Sequence, residues 1–178
     1  MRILIHGINY APERIGIGKY TGEMATWLAK CGHNVRIVTA PPYYPEWHVQ
    51  GDYKAWWYKH ERLTGVDVWR CPLWVPRSPS GSKRIIHLLS FALSSFPIML
   101  LQILWRPDIV LAIEPPLFCT PQAWLAARLS GAKAWLHVQD FEVSAFFGLG
   151  FSSSGLLQKI IAFLERCLMQ KFDHVSSI

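Results

Sequence analysis

A chain of 178 residues that is 51% hydrophobic and carries nine tryptophans can bury the core of one α/β domain, and its composition excludes a disordered or low-complexity polymer. The formal net charge of +6 points to nucleotide or lipid phosphates or an anionic leaflet rather than nucleic acid, because the bases are scattered and no recognition-helix, zinc-finger or RNP pattern occurs. Cys31, Cys71, Cys119 and Cys167 lie far apart, without CxxC or paired histidine spacing, and read as reduced core thiols of a cytosolic protein with no metal site.

Ile3-Leu4-Ile5 is a short continuous apolar run, the pattern of a strand buried on both faces of a parallel sheet. It is too short for a secretory apolar core. Ile8 to Gly18 follows as a loop bearing Pro12, Gly16 and Gly18, where the backbone can turn tightly and approach a ligand closely. Tyr20, Met24, Trp27, Leu28 and Cys31 recur at helical spacing and predict one packed stripe. Gly32 stops that helix, and 33–39 returns as a strand, giving a right-handed parallel crossover.

The helix start near Gly18 offers free N–H groups and partial positive charge at the carboxyl ends of the strands. Two readings stay open: a phosphate site, or a glycine turn that only lets the helix pack on the sheet. A dinucleotide fingerprint fails, because Thr21 stands where a third glycine or alanine belongs and no acid ends the second strand. A Walker loop fails as well, since it would need glycine at Glu13 and Ser or Thr at Tyr20.

Pro41 to about Thr64 reads as a long excursion. Tyr53, Trp56, Trp57 and Tyr58 stand there beside Lys54, Lys59, His60 and Arg62, a mixture able to stack on sugar rings, lodge among lipid headgroups, or cover a sheet edge. Val66 to Cys71 alternates like a strand with one wetter face. Ile85 to Trp105 runs without an acid, lysine or arginine between Lys83-Arg84 and Arg106. Its length permits a membrane span, a core helix or an interfacial helix. His87, Ser90, Ser94, Ser95, Gln102 and Pro97 interrupt it, and a span would part the strands on either side of it, so a helix partly in the core and partly on a membrane surface is favoured.

Asp108 to Ile113 is a buried strand with Glu114 just past its end. Pro121 to Leu129 reads as helix, Lys133 to Val138 as strand, and the latter delivers Gln139-Asp140-Phe141-Glu142 to the rim shared by Glu114 and the glycine loop if the strands are parallel. The other reading of an acid at a strand end is a cap on the next helix. Gly148 to Gly155 reads as flexible and does not satisfy GxSxG, because position 154 is serine. Leu156 to Leu168 reads as an amphipathic helix, and Phe172 to Ile178 begins a further strand. The expected fold is thus a Rossmann-like parallel sheet with helices on both faces.

The blocks Gly7-Ile8-Asn9-Tyr10-Ala11-Pro12-Glu13, Gly16-Ile17-Gly18-Lys19-Tyr20-Thr21-Gly22-Glu23-Met24, Thr39-Ala40-Pro41-Pro42-Tyr43-Tyr44-Pro45, Trp69-Arg70-Cys71-Pro72-Leu73, Arg106-Pro107-Asp108 and His137-Val138-Gln139-Asp140-Phe141-Glu142, in this order and spacing, resemble the N-terminal half of family 4 GT-B glycosyltransferases. The resemblance covers essentially the whole chain, 1–178, and is nearest to members that transfer fucose in colanic acid assembly. It implies retaining transfer of a sugar from a nucleotide-sugar, GDP-fucose for a fucosyltransferase, to a lipid-linked oligosaccharide at the cytoplasmic face of the inner membrane, with no cofactor and no metal.

By resemblance, Gly16, Ile17 and Gly18 would give backbone contacts to donor phosphate. Asp140, with Glu114, would orient the acceptor hydroxyl and ease its deprotonation, and Tyr43, Tyr44, Trp56, Trp57, His137 and Glu142 would face the acceptor. Gln139 stands where many relatives have histidine, which removes an imidazole from that position, while His137 lies two residues upstream. The C-terminal donor-binding domain of such enzymes is absent here, so the chain alone is expected to be inactive. The alternative is a truncated, non-catalytic module that binds the acceptor or a partner.

Overall fold

The computed structural model describes residues 1–115, 117–139, 159, 163 and 165–178. Strands β1 (Arg2–His6), β2 (Asn34–Thr39), β3 (Lys59–Leu63), β4 (Val66–Arg70), β5 (Ile109–Glu114), β6 (Lys133–Val138) and β7 (His174–Ser177) alternate with helices α1 (Gly16–Lys30), α2 (Gly81–Ile103) and α3 (Thr120–Ser130). The strands form one sheet in the order β3-β4-β2-β1-β5-β6-β7. All neighbours pair in parallel except β3 with β4. β1 is central, with Ile5 opposite Ile37 on one side and Leu111 on the other. The Rossmann-like architecture expected from the apolar runs is therefore present, as in the N-terminal half of a GT-B fold.

Alternation along the strands divides the core in two. Leu4, Val38, Val110, Ala112 and Leu136 meet Phe91 and Met99 of α2 and the alanines of α3 on one face. Ile3, Ile5, Val35, Ile37, Leu111 and Ile113 meet Ala25 of α1, with Met24 and Leu28 packed against them, on the other. Each fully buried large aliphatic side chain contributes about 1.5–3 kcal/mol, the larger part of what holds the layers together.

Several expectations need correction. The excursion after β2 is not all loop, because Lys59–Leu63 pairs antiparallel with β4 through a turn at Thr64 and Gly65, whose φ angles are 48° and 87°. The face of α1 that packs is only partly the predicted one, since Met24 and Leu28 of the expected stripe do pack against the core. Gly18, Thr21, Gly22 and Ala25 are buried, whereas Tyr20 and Trp27 are 55% and 63% exposed and Cys31 is exposed. The reason is close approach: a Cβ on Gly22 would lie 3.1 Å from the Ala11 Cβ, so the most deeply buried line of α1 is made of small residues, with Met24 and Leu28 packing beside it and Tyr20 and Trp27 facing outward. Among the thiols, Cys71 and Cys119 are core residues, but Cys31 is exposed and Cys167 half-buried.

α2 is inverted relative to a simple amphipathic helix. Its buried side carries His87, Ser95 and Gln102 beside Phe91 and Met99. Its outer side presents Ile86, Leu89, Leu93, Phe96 and Leu100, spaced three and four residues apart along one stripe. The inward polar groups are engaged. Ser95 Oγ lies 3.2 Å from His6 Nε2 and accepts from Gln122 Nε2 at 3.0 Å, and Gln102 Oε1 accepts from Arg36 Nη1 at 3.0 Å. The helix is long and apolar enough to cross a membrane by length and composition, yet it lies against β2 and α3 through these contacts.

Candidate functional site

The strand order reverses at β1, so the connections leaving β1 and β5 pass to opposite faces and leave a crevice at the carboxyl ends of these strands. In open α/β sheets this is where ligands bind. The loop after β1 forms one wall. Ile8 and Tyr10 are buried, and the Ile8 carbonyl accepts from Thr39 Oγ1 at 3.0 Å and from Ala40 N at 3.1 Å. α1 then begins at Gly16, whose φ of +60° favours glycine. Its N-cap, Ile15, offers no side-chain cap, and the first turn has no acid, so an anion is the natural complement to that terminus.

Two buried charged residues fix this loop. Glu13 accepts from Asn9 Nδ2 at 3.0 Å, from Tyr43 N at 3.1 Å and from Tyr44 N at 3.0 Å, tying the glycine loop to the segment that follows β2. Burial pushes the Glu13 carboxyl up from its ordinary value, while these donors and the charge of Arg70 pull it back. Arg70, at the end of β4, donates from Nη2 to the Ala11 carbonyl at 2.6 Å, from Nη1 to the Ala40 carbonyl at 3.0 Å and from Nε to Glu61 at 2.9 Å. Neither residue was singled out as a site residue from the sequence. The available signals were a lone acid beside two glycines, and a cation at the buried parity Val66, Val68, Arg70.

Gly18 is buried against the Glu13 side chain, and an added Cβ would lie 2.7 Å from the Glu13 Cβ. Because hydrogen bonds pin Glu13, the neighbour cannot swing away. Gly18→Ala is expected to cost about 1–3 kcal/mol, read as a lower urea midpoint at unchanged m-value. A loss below about 0.5 kcal/mol would mean that the loop is soft rather than pinned.

The opposite wall comes from β5 and β6. Glu114 and Val138 are in register, and Gln139 N donates to the Glu114 carbonyl at 3.0 Å. The Gln139 side-chain amide reaches Thr21 Oγ1 of α1 at 3.5 Å, which brings the end of β6 and the start of α1 to one rim. Asp140 and Glu142 lie outside the described residues.

The remaining expected site residues fall into two groups. Glu114 is at the rim but wholly buried, and His137 is half-buried with Nδ1 2.9 Å from Ser176 Oγ, its pKa lowered by burial. Tyr44 is half-buried, 3.6 Å from the position of a Gly16 Cβ. Tyr43, by contrast, is buried, its ring centroid 4.7 Å from that of His87 and 5.7 Å from that of Trp47. A buried ring offers no face to a sugar, so the acceptor-facing role expected of Tyr43 is corrected to one in the core. Trp56 and Trp57 are exposed, with centroids 6.2 Å apart, and Trp56 lines a cleft together with Ser90 and Ser94 of α2.

Residues 16–178 match the glycosyl transferase 4-like domain family. The chain is 52% identical to a protein of Escherichia coli (strain K12) described as a colanic acid biosynthesis glycosyl transferase, WcaI, over 100% of this chain and 44% of that protein. The chain thus spans less than half the length of this relative.

Proposed function

Because the chain belongs to the glycosyl transferase 4-like family, we propose that it is the acceptor-side half of a retaining glycosyltransferase that moves a sugar from a nucleotide-sugar to a lipid-linked acceptor in colanic acid-like exopolysaccharide assembly. Fucose, from GDP-fucose, is the proposed sugar. The observation that carries this reading is the single rim shared by the glycine loop and the end of β6, bridged by Gln139 and Thr21. Backbone N–H groups at Gly16, Ile17 and Gly18 would meet donor phosphate, with the positive end of α1 behind them. Asp140, one residue past Gln139, would hold the acceptor hydroxyl and ease loss of its proton as the glycosidic bond forms. Glu114, inside the rim, would act through its neighbours rather than by touching sugar, while Tyr44, His137 and Glu142 flank the acceptor.

The nucleotide pocket is assigned to the part of the relative's length beyond this chain. The 178 residues alone are therefore expected to transfer nothing, lacking the closed cleft that orients donor and acceptor. In the two-domain enzyme, Asp140→Asn should lower kcat about 100-fold with little change in the KM for the donor. Turnover within a few-fold of the parent would remove Asp140 from the chemistry. If the second half supplied in trans restored no transfer while lipid acceptor still bound, the chain would be a binding module.

A position on the cytoplasmic surface of the inner membrane is part of this proposal. The outward apolar stripe of α2, with Lys83, Arg84 and Arg106 at its ends, suits an interfacial helix over anionic headgroups. The contacts of Ser95 and Gln102 with the core would be lost in a span, which favours the surface arrangement.

A further inference from the structure

Beside α2, where the segments that follow β2 and β4 meet, is a cleft of roughly 450 Å³, within the range of about 300–1,000 Å³ usual for small-molecule sites. Trp47, Trp56, Trp74, Leu73 and Val75 form apolar walls, and no acidic residue lines it. The hydroxyls in the lining are already engaged. Ser90 Oγ accepts from Trp74 N at 3.0 Å and donates to the His87 carbonyl at 2.7 Å, and Ser94 Oγ donates to the Pro72 carbonyl. A sugar here would find few free hydrogen-bonding groups beyond His48 and Arg77, whereas an apolar chain needs none.

Charge and position narrow the ligand further. Arg77, exposed and without an acidic partner among the described residues, lines the cleft, and the Arg84 guanidinium stands 5.4 Å from the Trp47 ring centroid. Ser90 and Ser94 sit on the flank of α2 that borders its exposed stripe, next to Leu89 and Leu93, the latter 76% exposed. Tyr58 closes the same flank by donating to the Ser94 carbonyl at 2.9 Å. The exposed stripe and the cleft are thus neighbours on one helix, with Leu89 and Leu93 beside the cleft's Ser90 and Ser94.

We propose that this cleft takes the apolar segment of a single-chain lipid phosphate, with Arg77 against the phosphate. The inference rests on the lipid-acceptor reading and gives that acceptor a seat on this chain. Its test needs no sugar transfer: titration of the 178-residue chain with farnesyl phosphate below its micellar concentration, followed by calorimetry, with inorganic phosphate, farnesol and a soluble oligosaccharide as the comparison ligands.

Farnesyl phosphate should bind at least tenfold more tightly than inorganic phosphate or the oligosaccharide. Ala55→Phe, which fills the cleft, should weaken it at least tenfold, and Trp56→Ala, at an exposed ring that leaves folding untouched, at least threefold. Arg77→Ala should bring its affinity down to that of farnesol. Leu93→Glu, on the outward stripe, should leave this binding within twofold while reducing co-sedimentation with anionic phosphatidylglycerol vesicles at least fivefold. Equal binding of farnesyl phosphate and inorganic phosphate, indifference to both Ala55→Phe and Trp56→Ala, or tighter binding of the oligosaccharide would overturn the assignment. Loss of vesicle binding with the cleft intact, or the reverse, separates failure of the membrane reading from failure of the cleft.

Discussion

Replacing Arg70 with methionine should lower the unfolding free energy by about 3–5 kcal/mol, although the residue touches no substrate. Its side chain is 1% exposed and lies between Tyr10 and Tyr53. The guanidinium supplies donors to two main-chain carbonyls, Ala11 and Ala40, and to Glu61. Methionine fills a similar volume, so the loss comes from those groups left without their donor rather than from a cavity. Burial alone would raise the Glu61 carboxyl, but the hydrogen bonds from Arg70, Lys59 and Tyr53 and the Arg70 charge outweigh it and hold the carboxyl below its ordinary value.

Arg70→Lys should recover only part of the loss, since an ammonium cannot reproduce the planar fork, and Arg70→Met with Glu61→Leu should recover part of it by removing the unpaired carboxylate. The measurement is urea unfolding with m-values compared. A loss under about 1 kcal/mol would show that water replaces the guanidinium at little cost. Because Ala11 belongs to the loop ahead of α1, the same variant should raise the hydrogen-exchange rates of that loop. The fold's strongest polar clamp and its candidate phosphate loop are thus one assembly.

The central strands β1 and β5 were readable because a strand buried on both faces is a continuous apolar run, whereas β2 and β6 were readable as mostly apolar runs interrupted by Arg36 and His137. β3 was not, since Lys59, His60, Glu61 and Arg62 carry the charge expected of an edge strand that must not recruit another chain. The error at α1 has a different origin. Periodicity weights large side chains, whereas close helix-to-sheet contact selects small ones, so Tyr20 and Trp27 gave the stronger signal for the wrong face. On α2 the apolar majority looks outward, and composition alone cannot tell a core from a leaflet.

The site divides along the same line. The glycines and the rim were legible because βαβ topology sends every parallel strand end to one edge. Glu13 and Arg70 were not, because what makes a buried charge tolerable is its partners, and apart from Asn9 and Glu61 theirs lie about thirty or more positions away in the chain, at Tyr43, Tyr44, Ala40 and Ala11. Sequence shows that such a residue is out of place; only the fold shows what satisfies it.

The second large effect is on acid stability. His6 and His87 are both almost wholly buried. Burial pushes His6 down from 6.5 to about 3, partly offset by a backbone hydrogen bond at Cys119. It pushes His87 down from 6.5 to about 4, where the hydrogen bond to the Trp74 carbonyl raises it and the nearby Arg84 charge lowers it. In the unfolded chain both take up a proton near their ordinary value, so between that value and their folded values the unfolded state holds more protons and stability rises with pH.

The contribution is fully present above about pH 6.5 and is lost as pH falls through the folded values. Glu13 works the other way, because its raised pKa adds some stability on acidification. The fall in unfolding free energy from about pH 7 to about pH 5 should still be on the order of 3 kcal/mol. That interval lies above the range in which Glu61, held low, begins to lose its own contribution. His87→Gln keeps a donor for the Trp74 carbonyl and removes one titrating group, so the slope of stability against pH should fall to roughly half while the value at neutral pH changes less. A flat profile between these pH values, or an unaltered slope in the variant, would mean that water reaches these imidazoles and that the polar inner face of α2 is looser than its contacts with His6, Gln122 and Arg36 imply.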